Sequence, residues 1–135
     1  MRFTAAFSEL GYAVAQPRQD WSSASPTGIC LSLWQKEVRP DGRSACWIDT
    51  RLHAKDNGLW RTLPGNKKRI SHLQQALRDH DGYIDVVIVE GEPGEGVKDA
   101  SPWLPAKRKG RWRVVDLDEV TGHFRAVVEP FEPAT

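Results

Sequence analysis

Cysteine is scarce in this sequence. Cys30 and Cys46 are the only two in 135 residues, neither belongs to a Cys-x-x-Cys pair, and a disulfide scaffold of this length uses more. A reducing cytoplasm is the expected compartment. Long apolar runs are missing too: no stretch approaches the roughly 18 residues that a membrane helix needs, so a membrane is not an expected partner. The opening Met1-Arg2-Phe3-Thr4 soon meets Ser8 and Glu9 and lacks the apolar core of a signal peptide. Net charge is almost nil, since 19 basic and 18 acidic residues leave +1. Catalytic signatures are lacking as well. His53, His72, His80 and His123 show neither His-x-His nor His-Glu-x-x-His spacing. There is no Gly-x-Ser-x-Gly and no phosphate-binding lysine loop. Glycine-rich Glu90–Gly96 follows a strand, but its glutamates would repel a phosphate. Asp85 and Glu90, a carboxylate pair of the kind a metal nuclease uses, fall on opposite sides of one strand. No catalytic residue, metal or cofactor is expected, and an enzyme acting on a small anionic substrate is only a third reading.

What is present is an ordinary globular composition, 39% hydrophobic and 27% charged, in a length that fits one domain over residues 1–135. Phe3, Ala6, Phe7 and Leu10 recur at helical spacing before Gly11. Residues 16–28 read as a polar loop. Ile29, Leu31 and Leu33 then alternate like a half-buried strand, and Ser44–Asp49 reads as its hairpin return across Pro40-Asp41-Gly42. Asn66 suits an N-cap, and Ile70, Leu73, Ala76 and Leu77 form the apolar stripe of a second helix ending at Asp81-Gly82. Tyr83–Val89 is β-branched and continuously apolar, which predicts a central strand covered on both faces. Residues 91–105 read as a long mobile loop. Trp112–Leu117 and His123–Val128 form a hairpin with Gly122 at a positive-φ position, and the chain frays from about residue 130. The expected fold is α+β, a mostly antiparallel sheet of about five strands with two helices in a single layer on one face.

Charge is segregated along the chain. Arg61, Lys67, Lys68 and Arg69 form one basic segment, and Lys107, Arg108, Lys109, Arg111 and Arg113 another, while acids gather around residues 85–99 and 116–119. With Asn66 as N-cap, Lys67, Lys68 and Arg69 occupy the first helical turn, where the helix dipole disfavours cations by roughly 0.3–1 kcal/mol each. Breaking that rule three times suggests stability traded for anion binding by exposed backbone N–H groups and flanking cations. The alternative is a set of solvated or paired charges. In the segment 107–113, cations hold a nucleic-acid backbone while Trp112 either stacks on a base or turns into the core, as its shared parity with Val114 favours. The tryptophans number six. Trp34 and Trp47 sit on predicted strands and read as core; Trp21, Trp60 and Trp103 lie in predicted loops, able to stack on a base, dock a partner or fold back as lids. Cys30 and Cys46 read as inert core thiols.

One pattern resembles a group of small uncharacterised bacterial domains. They have a leading helix, a Trp-Ser-Trp loop, a strand ending in Leu-x-x-Trp, then Gly-Asn-x-x-Arg-x-x-x-Leu opening a helix, then a hydrophobic strand. The counterparts are Phe7–Leu10, Trp21-Ser22-Ser23, Leu31-Ser32-Leu33-Trp34, Gly65 through Leu73, and Ile84–Val89; Ser23 stands where the loop's second tryptophan would be. Over roughly residues 29–90 the order is also similar to the N-terminal DNA-reading domain of McrA-type, modification-dependent restriction endonucleases. The resemblance implies binding to modified DNA without cleavage, because the HNH nuclease domain is not in this sequence. Together these readings suggest a non-catalytic nucleic-acid-binding module, for double-stranded and modified DNA. It would use a basic helix start at Asn66–Arg69 and a basic hairpin edge at Lys107–Arg113, with Trp21 or Trp60 probing a base. The second reading is an accessory domain that docks a protein partner through loop tryptophans.

Overall fold

A computed structural model describes residues 1–17, 19–40, 46–52, 63–92 and 96–131. In chain order they form α1 (Phe3–Glu9), β1 (Ser22–Ser25), β2 (Gly28–Trp34), β3 (Arg39–Pro40), β4 (Cys46–Asp49), α2 (Pro64–Asp79), β5 (Tyr83–Glu92), β6 (Gly96–Pro102), α3 (Pro105–Arg108), β7 (Gly110–Leu117) and β8 (Phe124–Pro130). Short 3-10 turns stand at Gln35–Glu37 and Thr50–Leu52. The fold is α+β, but the expected five-stranded antiparallel sheet is corrected to eight strands in the order β1-β2-β5-β7-β8-β4-β3, with β6 also on β5. The sheet is mixed, because β2 and β5 run parallel.

Two of the unexpected strands are edges. Among the described residues β1 pairs only with β2 and β6 only with β5, so neither needs the apolar alternation of a covered strand. Glycine, lysine and proline in β6 suit an edge and read as a loop in the sequence. The expected pairing of β2 with residues 44–49 is not formed: β2 lies between β1 and β5, and β4 between β3 and β8. β2 buries Ile29, Leu31 and Leu33 on one face and Cys30 on the other, which suits an interior position beside the apolar β5. The expected turn at Asp41-Gly42 falls outside the described residues.

Side chains alternate between two cores. Ile29, Leu31, Leu33, Ile84, Val86, Trp112, Val114 and Phe124 pack on the side of α2, through Leu73 and Ala76. Cys30, Val87, Val89 and Ala100 pack on the other side with Ala6, Phe7 and Tyr12 from α1 and the chain after it. Helices therefore cover both faces, and the single helical layer is corrected. β5 is buried on both faces, as its continuous apolar run requires. One edge of β5 serves two partners. Tyr83 and Ile84 pair with β7, the Val86 carbonyl accepts the Trp103 amide at 2.8 Å, and from Val87 onward the edge pairs with β6. At the far end β8 reaches Pro130, and the Phe131 amide donates to the Lys109 carbonyl at 2.9 Å. The chain is thus still held at 130–131; residues 132–135 lie outside the described ones. No helix among the described residues is long and apolar enough to cross a membrane.

Candidate nucleic-acid interface

The start of α2 differs from the expected anion site. Pro64, whose fixed φ suits a first helical position, opens the helix, and Leu63 is its N-cap. Gly65 follows because the chain before β1 presses on it: a Cβ there would overlap the Gln19 carbonyl and stand 2.8 Å from the Trp21 ring. Asn66 is therefore a third helical residue rather than a cap, and it is fully buried. Its Nδ2 donates to the Thr121 carbonyl at 3.0 Å in the β7–β8 turn. The buried stripe of α2 is Asn66, Arg69, Leu73 and Ala76, whereas Ile70 is half-buried and Leu77 exposed. The helix has rotated its polar start inward.

The three cations consequently part company. Lys67 is exposed. Lys68 Nζ lies 2.9 Å from Asp20 Oδ2, which also accepts the Gln16 amide at 3.0 Å. Burial works against the Asp20 carboxylate, yet Lys68 and the Gln16 amide outweigh it and hold its pKa below the ordinary value. Arg69 is only 7% exposed, and its guanidinium lies between the rings of Trp21 and Phe124, 4.8 and 5.0 Å from their centroids. Trp21 is thereby a half-buried wall of the helix start. Trp60 and His53 lie outside the described residues.

The second basic segment is elsewhere. α2 begins against the closed turn of the β7–β8 hairpin, while Lys107, Arg108 and Lys109 stand at its open end, beside Gly110. β7 has eight residues, so the two ends are roughly 24 Å apart at strand rise. The two segments do not gather around the helix start. Arg108 lies over the Trp103 ring at 4.2 Å, and Trp103, buried, donates Nε1–H to the Gly110 carbonyl at 3.0 Å. Trp112 is fully buried, edge-on to Trp103. Lys107, Arg108, Lys109 and Arg111 are exposed, with no ion pair to a carboxylate among the described residues.

The registers reveal a surface that the sequence did not. On the side of the sheet away from α2, one cross-strand row runs Tyr83, Arg113, Val127, Trp47 and Arg39 through β5, β7, β8, β4 and β3. Arg111 opposes Glu129 in the next row toward the open end. Toward the turn, Arg125 lies between Asp116 and Asp49. Trp47 is therefore half-buried on the outer face, not in the core; Trp34 is likewise half-buried, on the α1 side. Arg111 and Arg113 lie over the Tyr83 ring at 4.5 and 5.1 Å, and Arg125 over Trp47 at 5.8 Å. Glu129 anchors the group, accepting from the Tyr83 hydroxyl at 2.8 Å and from Arg113 at 3.1 Å. These two donors, Tyr83 foremost, hold its pKa below the usual carboxylate value despite burial.

The sequence reading missed Tyr83, Trp47, Arg125 and Arg39 as candidates. Parity places Arg111 and Arg113 opposite Trp112 and Val114, and Arg125 opposite Phe124 and Ala126, so the outward set within the hairpin was readable. Which strands flank it was not. Compared with protein-family models, with curated proteins and with solved structures, the chain matches none.

Proposed function

We propose that the protein is a non-catalytic nucleic-acid-binding module whose contact surface is the outer face of β7, β8 and β4 together with the basic turn of α3. The observation that carries this reading is the continuity of Lys107, Arg108, Lys109, Arg111 and Arg113 with arginine-covered rings on β5, β7, β8 and β4, on the part of that face beyond β5 and β6, the strands on which α1 packs. Cations along one surface attract a polyanion and release its counterions on contact. Aromatic rings beside them add stacking. The acids Asp49 and Asp116 sit toward the turn end of this face, so the attraction is directed to the open end. A preference for modified DNA rests on the resemblance alone. For a partner docked through loop tryptophans the support is thinner, because Trp103 is buried and the Trp21 ring is against Arg69.

The test is binding of a labelled oligonucleotide, by anisotropy, at about 50 and about 200 mM salt, where several phosphate contacts cost orders of magnitude in affinity. Lys107→Glu combined with Arg111→Glu is expected to weaken binding sharply, whereas Arg78→Glu, on the exposed side of α2, is expected to leave it nearly unchanged. Absence of binding at the lower salt would end this reading.

A further inference from the structure

We infer that this sheet face takes a single polynucleotide strand with unpaired bases in preference to a duplex. The inference rests on the nucleic-acid reading above and adds the type of strand.

Three features lead to it. Tyr83 and Trp47 stand in one row with Arg113 and Val127 between them. Neighbouring strands are about 4.8 Å apart, so the two rings are separated by roughly 14 Å. A sheet displaying aromatics over that span stacks two or three unpaired bases. Next, the guanidiniums of Arg111, Arg113 and Arg125 already lie over these rings. A planar guanidinium held on a ring offers its other face to a base and its N–H groups to a phosphate. Glu129 fixes the Tyr83 hydroxyl and Arg113, so this arrangement is in place before a ligand arrives. Inside a duplex the base faces are covered by neighbouring pairs and have nothing to offer such a surface.

The third feature concerns shape. A duplex is read by a helix or a two-stranded ribbon that enters the major groove. α2 lies on the opposite face, with Arg69 buried, Lys68 on Asp20 and Arg78 paired with Asp79 at 3.0 Å. α3 has only four residues. The β7–β8 ribbon is flanked by β5 and β4 and does not project.

The experiment compares a labelled oligothymidylate with a duplex of equal length at one salt concentration. The strand is expected to bind at least about tenfold more tightly, and Tyr83→Leu and Trp47→Leu each to weaken it by about fivefold or more while scarcely changing duplex binding. Tyr83→Phe, which keeps the ring and loses only the bond to Glu129, retains strand binding. Circular dichroism verifies the fold of each variant. If Trp47→Leu does not fold, the exposed Arg111→Gln takes its place, with a larger loss expected for the strand than for the duplex. Equal or tighter duplex binding, or folded ring variants that bind the strand as well as the parent, overturns the inference while the nucleic-acid reading stands. Binding of neither probe sinks both.

Discussion

The Arg69 guanidinium lies 4.8 Å from the centroid of Trp21 and 5.0 Å from that of Phe124, in the same buried stripe of α2 as Leu73. This arginine is a packing element, stacked on aromatic faces that favour a cation. Burial lowers its pKa to about 10, with Glu37 opposing, so it remains charged at neutral pH. An exposed phosphate contact would tolerate charge reversal. Here Arg69→Glu presses a carboxylate onto two ring faces, and a loss of about 3 kcal/mol or more is expected in urea denaturation. Arg69→Lys keeps the charge but not the planar stack, and about 1–2 kcal/mol is expected.

Gly122 and Asn66 occupy one another's space. Gly122 has φ +83°, and a Cβ on it would overlap Asn66 Oδ1. Gly122→Ala is expected to cost about 1–3 kcal/mol through strain and overlap. Asn66→Ala takes away the donor to the Thr121 carbonyl and is expected to cost about 1–2 kcal/mol. Because the smaller residue at 66 makes room for a methyl at 122, the double variant should lose less than the sum. Strict additivity in denaturation experiments would contradict the contact.

Two histidines make the fold sensitive to acid. His72 Nδ1 is 2.6 Å from Ser22 Oγ and His123 Nδ1 is 3.0 Å from Thr50 Oγ1. Burial, then Lys68, lowers the pKa of His72 against Asp20; burial, then Arg51 and Arg69, lowers that of His123 against Asp118 and Asp49. The unfolded chain therefore binds these protons more readily than the folded one. Stability is complete above the ordinary histidine value of about 6.5 and declines as the pH falls through it toward the lower folded values. The melting temperature should be lower at about pH 5.5 than at about pH 7.5. His72→Asn, which keeps a polar partner for Ser22, should flatten the decline; a melting temperature that rises on acidification would refute this account.

Trp112 distinguishes a core indole from a base-stacking one. It is fully buried, 5.5 Å from Trp103 at an interplanar angle of 72°. Trp112→Phe should cost about 1–3 kcal/mol of stability by leaving a cavity. A variant of unchanged stability but weakened oligonucleotide binding would return Trp112 to the surface.

Local patterns were legible where one element supplies its own evidence. The 3.6-residue recurrence marks α2, the unbroken apolar run of Tyr83–Val89 marks a doubly covered strand, and Gly122 marks the turn of the β7–β8 hairpin. Of the expected stripe of α2, Leu73 and Ala76 are buried, but Ile70 and Leu77, which look more apolar than Asn66 and Arg69, lie off the buried face. The spacing Asn66, Arg69, Leu73, Ala76 fits a helical face equally well, and rings from Trp21 and Phe124, 48 and 55 residues away from Arg69, make that face habitable for a guanidinium. β1 and β6 were illegible because an edge strand needs hydrogen bonds from one neighbour and little apolar surface.

By itself the sequence determined which residues alternate inward and outward on β8 and on β7 as far as Val114, since the two-residue period of a strand is a property of the local backbone; past Val114 a bulge turns Asp116 outward beside Arg125 and Leu117 inward. Only the tertiary structure decided that Tyr83, Arg113, Val127, Trp47 and Arg39 form one row, and that Lys67 and Lys107 stand at opposite ends of a hairpin. Strand order and register depend on which apolar faces bury one another across the whole chain, and no single segment encodes them.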